Sequence, residues 1–247
     1  MSEYEVLGRF RMRALGGGSL AGARLFRSAQ LTDISPDEAR FMTSQIGIQA
    51  IYDIRNEWEV HAAPEPYLVG AKTIQLEPLT TRRRKSANER FAAGVIGEYG
   101  VPEERMIANY RRYVQEYPLI GRALRALAAE QVPALIHCVN GKDRTGVICA
   151  VIMKACDVHD DDIMQDYLIT NEINADYIRE EAEGLSAGMT EHELAILMSF
   201  LEARPAYLHA FFDEIERQYG SFQAYLTNGV RLNPIQQLKL RALYARS

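Results

Sequence analysis

The chain predicts an α/β fold: a central, mostly parallel sheet flanked by helices, with a largely helical C-terminal third. Three observations predict it. Short β-branched runs, "IQAIYDIRN" and "KTIQLEPL", are separated from one another and from a third run by stretches of helical periodicity. That third run, "VPALIHC", is evenly apolar and too short for a surface helix, which suits a strand covered on both faces. Beyond it, apolar residues recur mainly at helical intervals. With 247 residues, 47% of them hydrophobic, the chain can fill the core of one domain spanning 1–247.

Each element has a local cause. "RFRMRALGGGSLAGARLFRSAQL" carries a glycine-rich bend that helical periodicity cannot cross, and reads as a loop and an edge strand. "ISPDEARFMTSQIG" reads as a helix, with Ser35 as cap, Pro36 in the first turn, Asp37 and Glu38 facing the positive helix end, and Gly47 as the stop. After two strands, "TTRRRKSANERFAAGVIGEYG" breaks the alternation with charge and small residues, so 80–100 reads as an insert or lid. Residues 103–130 form two helical segments separated at Pro118. "TGVICAVIMKACDV" must be a helix buried on most sides. Asp160 to Asp162 cap "DDIMQDYLITNEINADYIREEAEG", and Thr190 caps "EHELAILMSFLEA" through a T-x-x-E box.

Composition excludes several classes. A net charge of -5 argues against holding bulk nucleic acid, which requires a basic excess. Cys138, Cys149 and Cys156 lack C-x-x-C spacing, so neither a disulfide framework nor a thiolate zinc site is expected, and the last two read as core packing. No apolar run approaches the roughly 18 residues of a membrane span and no leader pattern opens the chain, which reads as cytoplasmic with export left open. The basic run "TRRRK", 81–85, reads as a solvated loop, its alternative being transient contact with an anionic membrane surface. Oligomeric state is not legible.

The chemistry concentrates in "HCVNGKDRTG", 137–146, between the apolar strand and the buried helix. A strand feeding a glycine-bearing turn that opens a helix aims backbone N–H groups and the positive helix end at one point, where an anion binds. A Walker loop would need glycine at 136 and Ser or Thr after the lysine, but Ile136 and Asp143 stand there. What remains is Cys138, five intervening residues, then Arg144 and Thr145. That spacing lets the loop curl around a tetrahedral oxyanion, gripped by the Arg144 fork while the sulfur faces phosphorus. The same positive surroundings favour a thiolate.

"HC", five residues and "RTG" after a strand resemble the phosphate loop of the cysteine-dependent protein tyrosine phosphatase superfamily. The fuller "HCVNGKDRTG" is similar to bacterial tyrosine/serine phosphatases whose loop reads Gly-Lys-Asp-Arg, a group with dual-specificity and phosphoinositide-active members. "RLFRSAQL", "YDIRN", "DYLITNE" and "YGSFQAYL" resemble segments of that family in the same order, so the resemblance covers about 8–245. It implies phosphate monoester hydrolysis through a cysteinyl-phosphate intermediate, with no cofactor and no metal. The implied substrate is a phosphorylated protein or a phosphoinositide.

The resemblance also implies roles. Cys138 is the nucleophile, Arg144 the phosphate clamp, and Thr145 the hydroxyl that stabilises the leaving sulfur. Val139, Asn140, Gly141 and Lys142 form the cradle; His137, Gly146 and Arg55 complete the candidate binding set. Asp143 and Asp53 both stand as candidate proton donors, with pairing to Arg55 or Arg27 as the other reading of Asp53. Lys142 at the cradle mouth would favour a second phosphate and hence phosphoinositides. A rhodanese-like sulfurtransferase and a non-catalytic phosphate-binding module remain alternatives, since each also uses an amide cradle.

Overall fold

The apolar run around residue 135 forms the middle of the sheet. In the computed structural model the described residues are 8–16, 24–76, 100–116 and 118–244. Among them, five strands, β1 (Arg13–Ala14), β2 (Leu25–Ser28), β3 (Ala50–Asp53), β4 (Lys72–Gln75) and β5 (Ala134–His137), form one sheet in the order β1-β2-β5-β3-β4. Only β1 is antiparallel to its neighbour. The expected α/β architecture is therefore present, with its largely helical C-terminal third. The predicted insert or lid at 80–100, up to residue 99, lies outside the described residues, as does the basic run at 81–85.

Register explains why the chemistry collects at one rim. His137, the last residue of β5, pairs with Ser28 on one side and Asp53 on the other, so three parallel strands end level. Side chains alternate across the sheet. Leu25, Ala50, Tyr52, Ala134 and Ile136 enter the larger core with the helices. Phe26, Ile51 and Leu135 enter a second core with Met12, Ile34, Met42 and Leu68. All residues of β2, β3 and β5 are buried. "RLFRS" is thus an interior strand and the two-residue β1 is the edge, a correction to the single edge strand read from sequence.

Helix starts follow the capping chemistry. α1 (Pro36–Arg40) continues into a π-helical turn (Phe41–Ile46) and stops at Gly47, φ +86°. Its capping box is reciprocal: Glu38 N–H donates to Ser35 Oγ (3.3 Å) and Ser35 N–H to Glu38 Oε2 (2.7 Å). A short helix whose bounds the sequence reading did not give, α2 (Glu57–Ala62), follows β3. α3 (Glu104–Glu116) and α4 (Leu119–Glu130) flank Pro118 as expected. α5 (Asp143–Ala155) leaves the active rim and is buried without a break from Thr145 to Met153. Within it Cys149 is fully buried, and burial pushes its thiol up to about 11, consistent with a packing residue.

Among the described residues the helices that follow are α6 (Asp160–Ile173), α7 (Ala175–Leu185), α8 (Glu191–Leu201), α9 (Pro205–Tyr219), α10 (Phe222–Ala224), which continues into a π-helical turn (Tyr225–Gly229), and α11 (Pro234–Tyr244). Two differ from expectation. His159, not an aspartate, caps α6, its Nδ1 accepting from Asp161 N–H at 3.3 Å. The run to 184 is interrupted at Asn174, giving α6 and α7. The Thr190 box on α8 is present, with Glu193 Oε2 accepting from Thr190 N–H at 2.8 Å. No helix among the described residues is long and apolar enough to cross a membrane.

One buried ion cluster ties α6 to the strand edge. Asp166 receives Arg13 and Arg27, the latter at 3.0 Å with both side chains almost wholly buried. Burial alone would raise the Asp166 carboxyl, but the charges of Arg27 and Arg13 and their hydrogen bonds outweigh it and hold it below the usual range. A depressed folded pKa contributes stability that is complete above the unfolded value of about 4 and lost as pH falls through the folded one. Asp166→Ala, which strands two guanidinium groups, is expected to cost about 3–5 kcal/mol in urea unfolding at pH 7. The difference from the native chain should shrink below about pH 4.

Candidate active site

The loop between β5 and α5 is organised by the direction of its peptide groups. Its carbonyls all find donors outside: Val139 O accepts from Gln30 N–H (3.1 Å), Asn140 O from Asn174 Nδ2 (3.4 Å), Gly141 O from Arg27 Nη2 (2.8 Å), and Lys142 O from Gly146 N–H (2.7 Å). A trans peptide holds its N–H opposite its C=O, so the N–H groups of Asn140 to Asp143 turn the other way, inward. Among the described residues, none of the N–H groups of Val139 to Lys142 has an acceptor. Those N–H groups are donors not spent within the fold, next in sequence to Cys138, which is itself only 3% exposed. Gly141 is needed here: its φ is +66°, and a Cβ would stand 2.5 Å from Ser28 O.

Arg144, in the first turn of α5, reaches across the sheet to α2. Its Nη1 and Nη2 donate to Glu59 Oε2 (2.6 Å) and Oε1 (2.9 Å), and Nη1 also approaches Ile54 O at 3.4 Å. Such a two-point pair fixes the plane of the guanidinium as well as its place. Glu59 is held in turn by Asn56 N–H, donating to Oε2 at 2.6 Å. Thr145 is fully buried, and among the described residues its Oγ1 has no hydrogen-bond partner.

Asp143, at the first position of α5, accepts from Tyr110 OH at Oδ1 (2.7 Å); Tyr110 OH lies 2.8 Å from Tyr167 OH. Both tyrosines are buried. Burial, joined by the neighbouring Asp143 charge, raises both phenols, so both remain protonated donors. Lys142 does not stand at the mouth, contrary to expectation. Its side chain is buried, and Nζ donates to Phe200 O in the last turn of α8 and, at 3.1 Å, to Glu202 O just after it, with Asp143 Oδ1 3.6 Å away. Those carbonyls are the negative end of a helix and hold the ammonium inward.

The second aspartate is differently placed. Asp53 is buried and clasped by Arg55, which donates Nε to Oδ1 (3.0 Å), Nη2 to Oδ2 (2.8 Å) and its own N–H to Oδ1 (2.9 Å). Burial would raise this carboxyl, but the Arg55 hydrogen bonds and the His137 charge lower it, which opposes a proton-donor role. Arg55 is fully buried, with Nη1 on Ala63 O (2.8 Å) and Nη2 3.3 Å from Glu65, so it has no face for substrate. His137 is also fully buried. Its Nδ1 lies 3.3 Å from Cys138 O, and its Nε2 lies 3.4 Å from Glu65 Oε2 without hydrogen-bond geometry. Asp53, Glu65 and His137 offer ligand atoms within 4.8 Å of one another, a spacing a cation could use, but the Arg55 guanidinium already neutralises the carboxylates. These residues support the loop from below. Gly146 likewise serves packing, since a Cβ there would stand 3.1 Å from the Tyr167 ring.

A sequence model described as the tyrosine phosphatase family matches residues 7–246. The chain belongs to the tyrosine phosphatase family. It is 29% identical over 263 residues to the triple specificity protein phosphatase PtpB of Mycobacterium tuberculosis, covering 92% of this chain and 93% of that protein. It is 27% identical over 234 residues to a Cupriavidus necator protein provisionally named a tyrosine-protein phosphatase, covering 90% and 79%. Membership decides among the expected activities in favour of a protein tyrosine phosphatase over sulfur transfer or phosphate binding alone.

Several residues around this phosphatase's loop were missed in the sequence. Glu59 carried a signal, the N-x-x-E spacing of Asn56 and Glu59 directly after a strand, which marks a helix start. Tyr110 and Tyr167 carried none, being apolar-face residues of helices until the fold brings them to Asp143. Glu59→Gln keeps the α2 cap acceptor but removes the charge opposing Arg144. It is expected to lower kcat/KM for p-nitrophenyl phosphate by roughly 10-fold or more, with the thermal midpoint little changed. Steady-state kinetics beside a melting curve checks this.

Proposed function

We propose that this phosphatase hydrolyses phosphotyrosyl proteins through a cysteinyl-phosphate intermediate at the 138–144 loop. The single observation that carries the reading is the loop's peptide orientation. Every carbonyl from Val139 to Lys142 is bonded to a donor outside the loop, which leaves the amides that follow Cys138 free to converge on an oxyanion beside its sulfur.

In the first step the Cys138 sulfur attacks phosphorus, the S–P bond forms, and the P–O bond to the substrate oxygen breaks. The loop amides and Arg144 stabilise charge on the equatorial oxygens, preorganised by their outward bonds and by Glu59. Asp143 donates its proton to the departing oxygen, with its Oδ1 positioned by Tyr110. In the second step Asp143 takes a proton from water, the water oxygen bonds to phosphorus, and the sulfur leaves as a thiolate. The unpartnered Thr145 hydroxyl is a donor for that sulfur. Asp53 takes no part, being spent on Arg55. Because Lys142 is turned away from the mouth, a protein phosphomonoester is favoured over a phosphoinositide. The triple specificity in the name of the Mycobacterium relative supports tolerance of more than one kind of phosphorylated substrate.

Cys138→Ser is expected to lower turnover of p-nitrophenyl phosphate by several orders of magnitude, about 10⁴-fold or more. Undiminished turnover would refute covalent catalysis at this sulfur. Asp143→Asn should cost roughly 10²-fold or more on a phosphoseryl peptide and clearly less on an aryl phosphate, whose leaving group needs no proton. Tyr110→Phe should show the same leaving-group dependence in smaller measure, and little further loss when added to Asp143→Asn.

A further inference from the structure

Three arginines crowd the β1 edge of the active rim. Arg13 and Arg27 share the Asp166 carboxylate. Arg11 has no carboxylate. Among the described residues its guanidinium has no ion pair and no hydrogen-bond acceptor, and Nη1 is buried without a partner. A buried guanidinium nitrogen left without an acceptor costs free energy unless a ligand supplies one.

Its position says which ligand. Ala29 N–H donates to Phe10 O (2.9 Å) and Gln30 N–H to Val139 O (3.1 Å), so the segment bearing Arg11 lies one strand end away from the cradle. The Arg11 guanidinium carbon sits 4.7 Å from the centroid of the Tyr177 ring, and Tyr177 OH accepts from the cradle residue Asn140 at 3.1 Å. Stacking on a ring occupies the face of a guanidinium and leaves its in-plane N–H groups to donate elsewhere. Burial lowers Arg11 while the Tyr177 and Cys138 groups raise it, which places its charge within the field of the nucleophile. Its backbone is left-handed, φ 51°, between the buried Phe10 and Met12, an uncommon conformation for arginine that the surrounding packing must hold.

Sheet order gives the arrangement its meaning. Cys138 follows the central strand, Arg144 is braced by Glu59 after β3 on one side, and Arg11 precedes β1 on the other. We propose that Arg11 is a second arginine ligand of the phosphoryl group, donating Nη1 to an oxyanion oxygen from the side of the cradle opposite Arg144. The inference rests on the phosphatase reading of the loop and adds a substrate contact to it. An oxyanion in the cradle would supply the acceptor that Nη1 lacks.

Orthovanadate, which occupies a phosphate cradle without a leaving group, is the probe. Arg11→Met keeps the stem and removes the fork; its vanadate inhibition constant should rise about 10- to 100-fold, the range of a hydrogen bond to a charged group. Arg11→Lys keeps the charge and should fall between this variant and the native chain. Tyr177→Leu, which removes only the stacking partner, should weaken vanadate less than Arg11→Met does. Equal losses for Tyr177→Leu and Arg11→Met would mean that Arg11 merely braces the ring, and vanadate inhibition unchanged in Arg11→Lys and Arg11→Met would also overturn the proposal. A vanadate-soaked crystal of the native chain should show Arg11 Nη1 within about 3.2 Å of a vanadate oxygen. A filled cradle with Arg11 turned away sinks this inference alone, whereas an empty cradle sinks the phosphatase reading beneath it.

Discussion

The loop from Cys138 to Arg144 is held by a constraint on hydrogen-bond donors outside it. Its amides can converge only if its carbonyls are all turned away, and each buried carbonyl then needs a donor from elsewhere in the molecule. Gln30, Arg27, Asn174 and the first turn of α5 supply them. Much of the surrounding architecture follows from that demand. Arg27 must be buried to reach Gly141 O, its charge then requires Asp166, and Asp166 fixes α6 against the strand edge.

A second layer of ion pairs sets the cationic side chains. Arg144 is oriented by Glu59, whose own carboxylate also closes the start of α2. Arg55 is satisfied by Asp53, Glu65 and the Ala63 carbonyl beneath the loop. Breaking any such buried pair leaves an uncompensated charge, so the network acts as a unit rather than as separable contacts. Its effect is geometric: it fixes the Arg144 and Arg55 guanidinium groups in place and in orientation.

The α7 and α8 pair carries its own small core, with Ile178, Ile196, Leu197 and Leu201. It meets the loop through polar contacts: Asn140 to Tyr177, and Lys142 to the carbonyls of Phe200 and Glu202. The glycine-lysine sequence of the loop thus has two different uses. Glycine permits the close approach to Ser28, while lysine anchors the helical pair to the cradle.

Local chemistry determined much of this protein. The strand, loop and buried helix around "HCVNGKDRTG", the Ser35 cap, the Thr190 box, the break at Pro118 and the mainly parallel sheet were legible because each depends on neighbours a few residues apart. Cys138 and Arg144 could be read as parts of one loop because only five residues intervene. Tertiary structure decided the rest. Lys142 turned inward because helix-end carbonyls sixty residues on lay within its reach. Asp53 is clasped by a buried guanidinium two residues away, a pairing that sequence allowed but could not choose. Glu59, Tyr110 and Arg11 reach the rim only through strand order, and side-chain contacts between distant segments leave no trace in local spacing.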